Sequence, residues 1–349
     1  MSEIIINDRK VGITNKPFVI AEMSGNHNQS LEDALKIVEE AARNGADALK
    51  IQTYTAEKLT LNLNKNEFSI SDENSLWKGM SLFELYKKAY TPWEWHKPIM
   101  NKAKEVGIIC FSSPFDNSAV DFLEELNVPA YKIASPEIIH LPLIQKAAST
   151  GKPLIISTGM ASISEIEEAV LAAREAGCSQ LVLLKCTSSY PASASASNLS
   201  TIPHMRNMFD CEVGLSDHTC GIGVAVASVV HGASVIEKHF TLSKVAGGVD
   251  SEFSIEPREM KALVIETERA WESIGQVKYG PSESEKTTFR HRQSLYIAED
   301  MKKGDVLNKK NLRIIRPGLG LPPKYYDVVL GRKIKKNVKK GEPLKWELF

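Results

Sequence analysis

Residues 31–52 read LEDALKIVEEAARNGADALKIQ. From 31 to 46 the apolar side chains recur at helical spacing between acids and lysines, and the pattern stops at Gly45. From Ala48 it becomes a short apolar run that ends on Lys50 and Gln52. A helix that hands directly to a short strand is part of a βα repeat on a parallel sheet. Outward from this stretch the same alternation recurs in both directions. Strand-like runs fall at 18–22, 48–52, 108–112, 130–135, 154–157, 181–186, 212–216 and 234–239. Helical segments such as ISEIEEAVLAAREAGC (163–178), with its turn at Gly177, lie between them. Eight strands are what a (β/α)8 TIM barrel requires, whereas a doubly wound open sheet, the alternative, usually has fewer. Ahead of the repeats, EIIINDRKVGIT (3–14) reads as a hairpin turning at Asn7-Asp8-Arg9.

The runs share a feature at their C-terminal ends, where each gives way to polar or ionisable residues. These are Glu22; Lys50 and Gln52; Ser113; Lys132, Ser135 and Glu137; Ser157; Thr187; Ser216 to His218; and His239. In a barrel they converge on the mouth that carries active sites in this fold. Solvation of strand ends accounts for one or two such residues, not for a nearly complete ring. The longest insertion, residues 59–92, holds Trp77, Tyr86 and Tyr90. It reads either as a pocket rim or as a helical embellishment packed on the barrel.

Composition narrows the function. The 349 residues suit one large barrel plus a small module, and 43% apolar with 25% charged residues is ordinary for a globular protein. Zero net charge gives no general pull toward nucleic acid or membrane, and no run reaches the roughly 18 apolar residues of a span. MSEIIINDRK lacks the basic-then-apolar pattern of a signal peptide. The five scattered cysteines lack CxxC spacing and read as reduced thiols, which places the chain in the cytoplasm. The barrel is expected over 1–280, with a polar linker at 281–291 inside YGPSESEKTTFRHR and a small β-rich module over 292–349. From Arg290 onward there are 16 Lys and Arg against 6 Asp and Glu. No base-stacking platform or base-reading motif accompanies this charge, so its economical use is beside an anionic active site.

His218 in GLSDHT and His239 in IEKHF end neighbouring strands. Two imidazoles with oxygen ligands completing the shell suit Mn²⁺ or a similar divalent ion rather than a closed structural zinc. Lys50 and Lys132 are placed either to form a Schiff base or to bind phosphate and carboxylate, and the histidine pair favours anion binding. Ser113, Ser135, Ser157, Ser188 and Ser216 add hydroxyl donors, though a strand-end serine also caps helices. Glu22 and Glu137 are candidate proton carriers. Asn26 and His27 lie on the first βα loop, Tyr190 on the sixth and Asp250 on the Gly-rich eighth, where local turn bonding or packing would serve equally.

AEMSGNHNQSLE, GADALKIQTY, FSSPFD, PAYKIASPE, ISTGM, KCTSSYP, GLSDHT and IEKHF, in this order, resemble the sialic-acid synthase family over essentially the whole chain. RPGLGLPP (316–323) resembles the signature of its antifreeze-like SAF domain. AEMSGNHNQS and SSYP are most similar to the branch that makes pseudaminic acid rather than N-acetylneuraminate or legionaminate. The resemblance implies a metal-dependent condensation of phosphoenolpyruvate (PEP) with an amino-sugar aldehyde, with Mn²⁺, Mg²⁺ or Co²⁺ on His218 and His239. It implies PEP contacts at Lys50, Ser113, Lys132, Ser135, Ser157 and Ser216, and contacts around the sugar and the reacting water at Glu22, Gln52, Glu137, Tyr190 and Asp250. It further implies a homodimer in which the SAF domain of one subunit closes the other's barrel, with Arg316 reaching the sugar's acyl group. Ser188 stands where the neuraminate enzymes carry asparagine, so a phosphate contact there departs from the pattern. Two rival readings are a Schiff-base aldolase acting on pyruvate and a non-catalytic sugar- or ice-binding protein.

Overall fold

The computed structural model describes residues 4–73 and 75–349. The chain forms two compact units, Met1–Gly275 and Gln276–Phe349. The expected hairpin is β1 (Ile4–Ile6) against β2 (Arg9–Val11), turning through Asn7 and Asp8 at φ 45° and 69°. Two consecutive left-handed residues make the turn whose twist matches antiparallel strands, and Asn and Asp tolerate it best. Glu3, at the head of that hairpin, lies outside the described residues.

Eight parallel strands then close a barrel: β3 (Phe18–Glu22), β4 (Ala48–Thr53), β5 (Ile109–Pro114), β6 (Tyr131–Ile133), β7 (Leu154–Ser157), β8 (Leu181–Cys186), β9 (Glu212–Asp217) and β10 (Val235–His239). Pairing of β10 with β3, His239 opposite Glu22, completes the ring. One strand is shorter than the sequence suggests. The run at 130–135 pairs only as Tyr131–Ile133, and Ser135–Ile139 forms a 3-10 turn instead. Pro136 at the start of that turn has no N–H for a ladder and a φ suited to a helical start.

Alternation along the strands divides the core in two. Val19, Leu49, Tyr131, Ile156 and Ile236 pack outward against the helices, while Phe18, Ile20, Ala48, Phe111, Ile155, Leu184 and Val235 fill the interior. Ile4, Ile6 and Val11 join the interior cluster, so the hairpin plugs the N-terminal end of the barrel. The apolar fill leaves the C-terminal end for polar side chains. Helix Leu31–Arg43 starts on the Ser30 hydroxyl, which accepts the Asp33 N–H.

The insertion after β4 folds into a helix, Leu82–Ala89, opened by a capping box between Ser81 and Glu84. A bridge between Ser69 and Ser81, with Ile70 N–H donating to the Met80 carbonyl at 2.9 Å, fixes the segment ahead of it.

The second unit has its own core, built on Leu295, Ile297, Met301, Leu312, Val338 and Leu344. Its antiparallel pair is β11 (Ser294–Ile297) with β12 (Leu312–Ile315). Arg316 follows β12 directly, is exposed, and precedes Pro317 through a cis peptide bond. Among the described residues no helix is long and apolar enough to cross a membrane, and all five cysteines are free thiols.

Candidate active site

A cavity of about 510 Å³ opens where the strands end. Glu22, Lys50, Gln52, Lys132, Ser135, Ser157, Tyr190, Ser216, His218, His239 and Asp250 all line it. The registers explain this convergence, because Glu22 sits opposite Lys50, Gln52 opposite Ser113, and Cys186 opposite Ser216 on successive strands. Ser113, Glu137 and Ser188 lie just outside the lining. Ser113 Oγ accepts from Lys50 Nζ at 3.3 Å. Ser188 Oγ is 3.9 Å from Cys186 Sγ. A Cβ on Gly159 would fall 2.2 Å from Ser188 Oγ and 2.7 Å from Ser135 Oγ, so only glycine permits this close approach. Arg316 belongs to the second unit.

The floor is ionic. Lys50 Nζ is 2.7 Å from Glu22 Oε2 and 3.6 Å from Glu237 Oε1, and Lys132 Nζ is 3.9 Å from Glu237 Oε1. All four are at most 4% exposed. Burial opposes the charge on Lys50, but Glu22 and Glu237 outweigh it and raise its pKa. Burial prevails at Lys132, reinforced by Lys50, and lowers its pKa. Glu237 is lowered because the two lysines overcome its desolvation. Sequence reasoning missed Glu237. It lies two residues before His239 and so points to the same face, a signal available in the period-two alternation. Cys186 was missed likewise; burial alone would raise its thiol, yet His218, Ser135 and Lys132 hold it to about 7.

Above the floor, the rings of His218 and His239 are 5.2 Å apart, and Phe253 stands edge-on to both. His218 Nδ1 lies 2.9 Å from the Thr187 carbonyl, which leaves Nε2 free of that bond. Asp250 Oδ2 is 3.5 Å from His239 Nδ1, and that nitrogen, Glu237 Oε2, Glu137 Oε2 and Ser157 Oγ are buried without hydrogen-bond partners. Among the described residues no three His, Cys, Asp or Glu side chains form a metal-holding group. The arrangement thus offers a pair of nitrogen donors beside surplus carboxylate, a fit for a cation whose shell is completed by water or substrate oxygens. Burial pushes the Glu137 carboxyl up to about 7, with its own backbone N–H and Lys132 pulling back.

The outer wall is largely apolar, with Asp72, Ser75 and Tyr86 as its polar members. Ile70, Trp77, Leu82, Leu85 and Ala89 from the insertion face the cavity together with Tyr54 and Phe115. The insertion is therefore a pocket rim. Trp77 Nε1 donates to the Val249 carbonyl at 2.9 Å and its ring packs 5.8 Å from that of Tyr190, itself 4.5 Å from His218. His27 is structural: Nδ1 accepts the Gln29 N–H at 3.2 Å and the ring meets Trp95 edge-on.

This site sits in a chain with clear relatives. It is 43% identical to the pseudaminic acid synthase of Campylobacter jejuni subsp. jejuni serotype O:2, over 95% of this chain and 96% of that one. It is 40% identical to the pseudaminic acid synthase of Helicobacter pylori, over 94% and 96%. Among solved structures, the N-acetylneuraminic acid synthetase of Leptospira borgpetersenii superposes with a TM-score of 0.72 at 35% identity, covering 83% of this chain and 96% of that one. An SAF domain model matches residues 292–349, and a model described as the NeuB family matches 37–279, well over half of the chain, which belongs to the NeuB family.

Proposed function

We propose that this chain condenses PEP with 2,4-diacetamido-2,4,6-trideoxy-altrose and water to give pseudaminic acid and inorganic phosphate. The observation that carries the reading is the layering of the mouth: two buried lysines under a facing histidine pair, closed by an apolar wall. Lys50 and Lys132, with the hydroxyls of Ser113, Ser135, Ser157, Ser188 and Ser216, hold the carboxylate and phosphate of PEP, and Ser157 Oγ has no competing protein partner. Gln52, whose Nε2 donates to Glu22 at 2.8 Å and to Ser24 at 3.1 Å, presents its remaining amide oxygen to the sugar beside Tyr190 and Asp250. The enol carbon of PEP bonds to the aldehyde carbon, whose C=O π bond breaks as its oxygen takes up a proton to become a hydroxyl. This leaves cationic character on the carbon bearing phosphate. Water adds there and loses a proton; the C–O bond to phosphate then breaks to give the α-keto acid. Glu22 or Glu137 carries the proton, and Glu137, titrating near neutrality, changes charge in the working range. His218 and His239 would hold a divalent ion, Mn²⁺ with Mg²⁺ or Co²⁺ as alternatives, which polarises the aldehyde oxygen as a Lewis acid when bound.

The sugar assignment draws on the wall and on the relatives. A methyl in place of a terminal hydroxyl, and two acetamido methyls, suit the apolar side chains of Ile70, Leu82 and Leu85. Homodimerisation, with the partner's SAF domain bringing its arginine to the sugar, is part of the same reading, as is a cytoplasmic location consistent with free thiols. Neuraminate or legionaminate formation differs only in the sugar. The test is phosphate release from PEP with a panel of diacetamido hexose aldehydes and N-acetylmannosamine. Faster turnover with N-acetylmannosamine refutes the branch and leaves the family. A Schiff-base aldolase acting on pyruvate through Lys50 or Lys132 is the rival reading, and a borohydride-trapped adduct with pyruvate would establish it.

A further inference from the structure

Asn26 lies on the first βα loop, away from the cavity lining, and is 3% exposed. Its Nδ2 donates to the Phe240 carbonyl at 3.0 Å and to Ser254 Oγ at 2.9 Å. Its Oδ1 accepts the Asp250 N–H at 3.3 Å, and Ser254 Oγ donates onward to the Asp250 carbonyl at 2.6 Å. One amide therefore grips the residue after His239 and, directly and through Ser254, both backbone polar groups of Asp250. Those are the residues whose side chains meet as His239 Nδ1 and Asp250 Oδ2, 3.5 Å apart. Asp250 sits on the loop that includes Gly247 and Gly248, both at positive φ, which has little stiffness of its own. A Cβ on Gly248 would fall 2.9 Å from Asn26 Oδ1, so glycine also makes room for the grip.

We propose that Asn26 is a positioning residue that acts through Asp250, fixing that carboxylate against His239 at the sugar end of the site. The inference rests on the sugar-site role of Asp250 proposed above. Asparagine is required because the site demands two N–H donors toward oxygens and one acceptor toward an N–H. An aspartate would set oxygen against the Phe240 carbonyl and add charge beside Asp250.

The test is a double-mutant cycle on the full-length enzyme, read as steady-state phosphate release. Asn26→Ala should lower kcat/KM for the sugar by ~10–100-fold, the usual cost of losing an outer-shell support, with KM for PEP unchanged. Asn26→Asp should do the same. Because Asn26 acts through Asp250, the double variant Asn26→Ala/Asp250→Ala should be no slower than Asp250→Ala alone. Additive losses, or an equal rise in KM for PEP, overturn the inference and leave the sugar reading intact. Wild-type turnover in Asp250→Ala overturns both. Should Asn26→Ala fail to fold, Ser254→Ala, which removes the second leg of the brace, goes through the same cycle with the same deciding outcomes.

Discussion

Lys238 Nζ, fully buried, donates to Asp217 Oδ2 at 2.8 Å and to the Thr219 carbonyl at 2.6 Å. The pair clasps β9 to β10 on the outside of the barrel, and each member directly precedes one of the two site histidines. Removing one partner leaves an uncompensated buried charge, which costs about 3–5 kcal/mol. Lys238→Met should therefore destabilise the chain by that amount in urea unfolding. The double variant Asp217→Leu/Lys238→Met should cost clearly less than the sum of the single changes.

His218→Ala and His239→Ala should each remove turnover by more than ~100-fold, beyond the cost of an outer-shell change. Both should keep wild-type circular dichroism, since the apolar interior lies below them. Activity that survives both substitutions, or is indifferent to chelator, refutes metal binding at this pair.

Glu137 titrates near 7 rather than near 4.5 because burial disfavours its charge. The kcat/KM profile should carry an ionisation close to pH 7 that Glu137→Gln abolishes. A raised folded-state pKa means that the folded chain holds this proton more tightly than the unfolded one. Its stabilising contribution is thus full below about 4.5 and lost as pH rises through about 7. Urea unfolding of Glu137→Gln should lack that decline.

The apolar wall should set sugar preference. Leu82→Ser should reduce the ratio of kcat/KM for the 6-deoxy sugar over its 6-hydroxy analogue by about tenfold, the lower range for one apolar contact. Phosphate release with the two sugars in competition reads this ratio directly. An unchanged ratio moves the methyl away from the insertion.

Arg316→Ala should weaken sugar binding far more than PEP binding, because a guanidinium presents planar donors suited to an acetamido carbonyl. Mixed with His218→Ala under subunit exchange, it should regain partial activity, since one site of the heterodimer pairs an intact barrel with an intact SAF domain. Heterodimers that form and stay inactive assign the SAF domain to its own barrel.

The barrel was legible because each of its strands is buried on both faces and reads as a near-continuous apolar run. The polar ring at 22, 50, 132, 157, 216, 218 and 239 was legible for a related reason: in this fold an ionisable residue at a strand's C-terminal end has one destination. Glu137, Ser113 and Ser188 belong to the same ring in sequence but lie just outside the residues that line the cavity. Which charges pair was a matter for the tertiary structure. Glu237 meets Lys50 and Lys132 from strands far apart in the chain, and burial decides that the two lysines shift in opposite directions. The same holds for Asn26, whose partners at 240, 250 and 254 lie more than two hundred residues away, and for the wall built by the insertion. Apolar periodicity is a local property, written in neighbouring residues. The partners of a buried charge or amide are set by through-space distance and desolvation, which only the closed barrel defines.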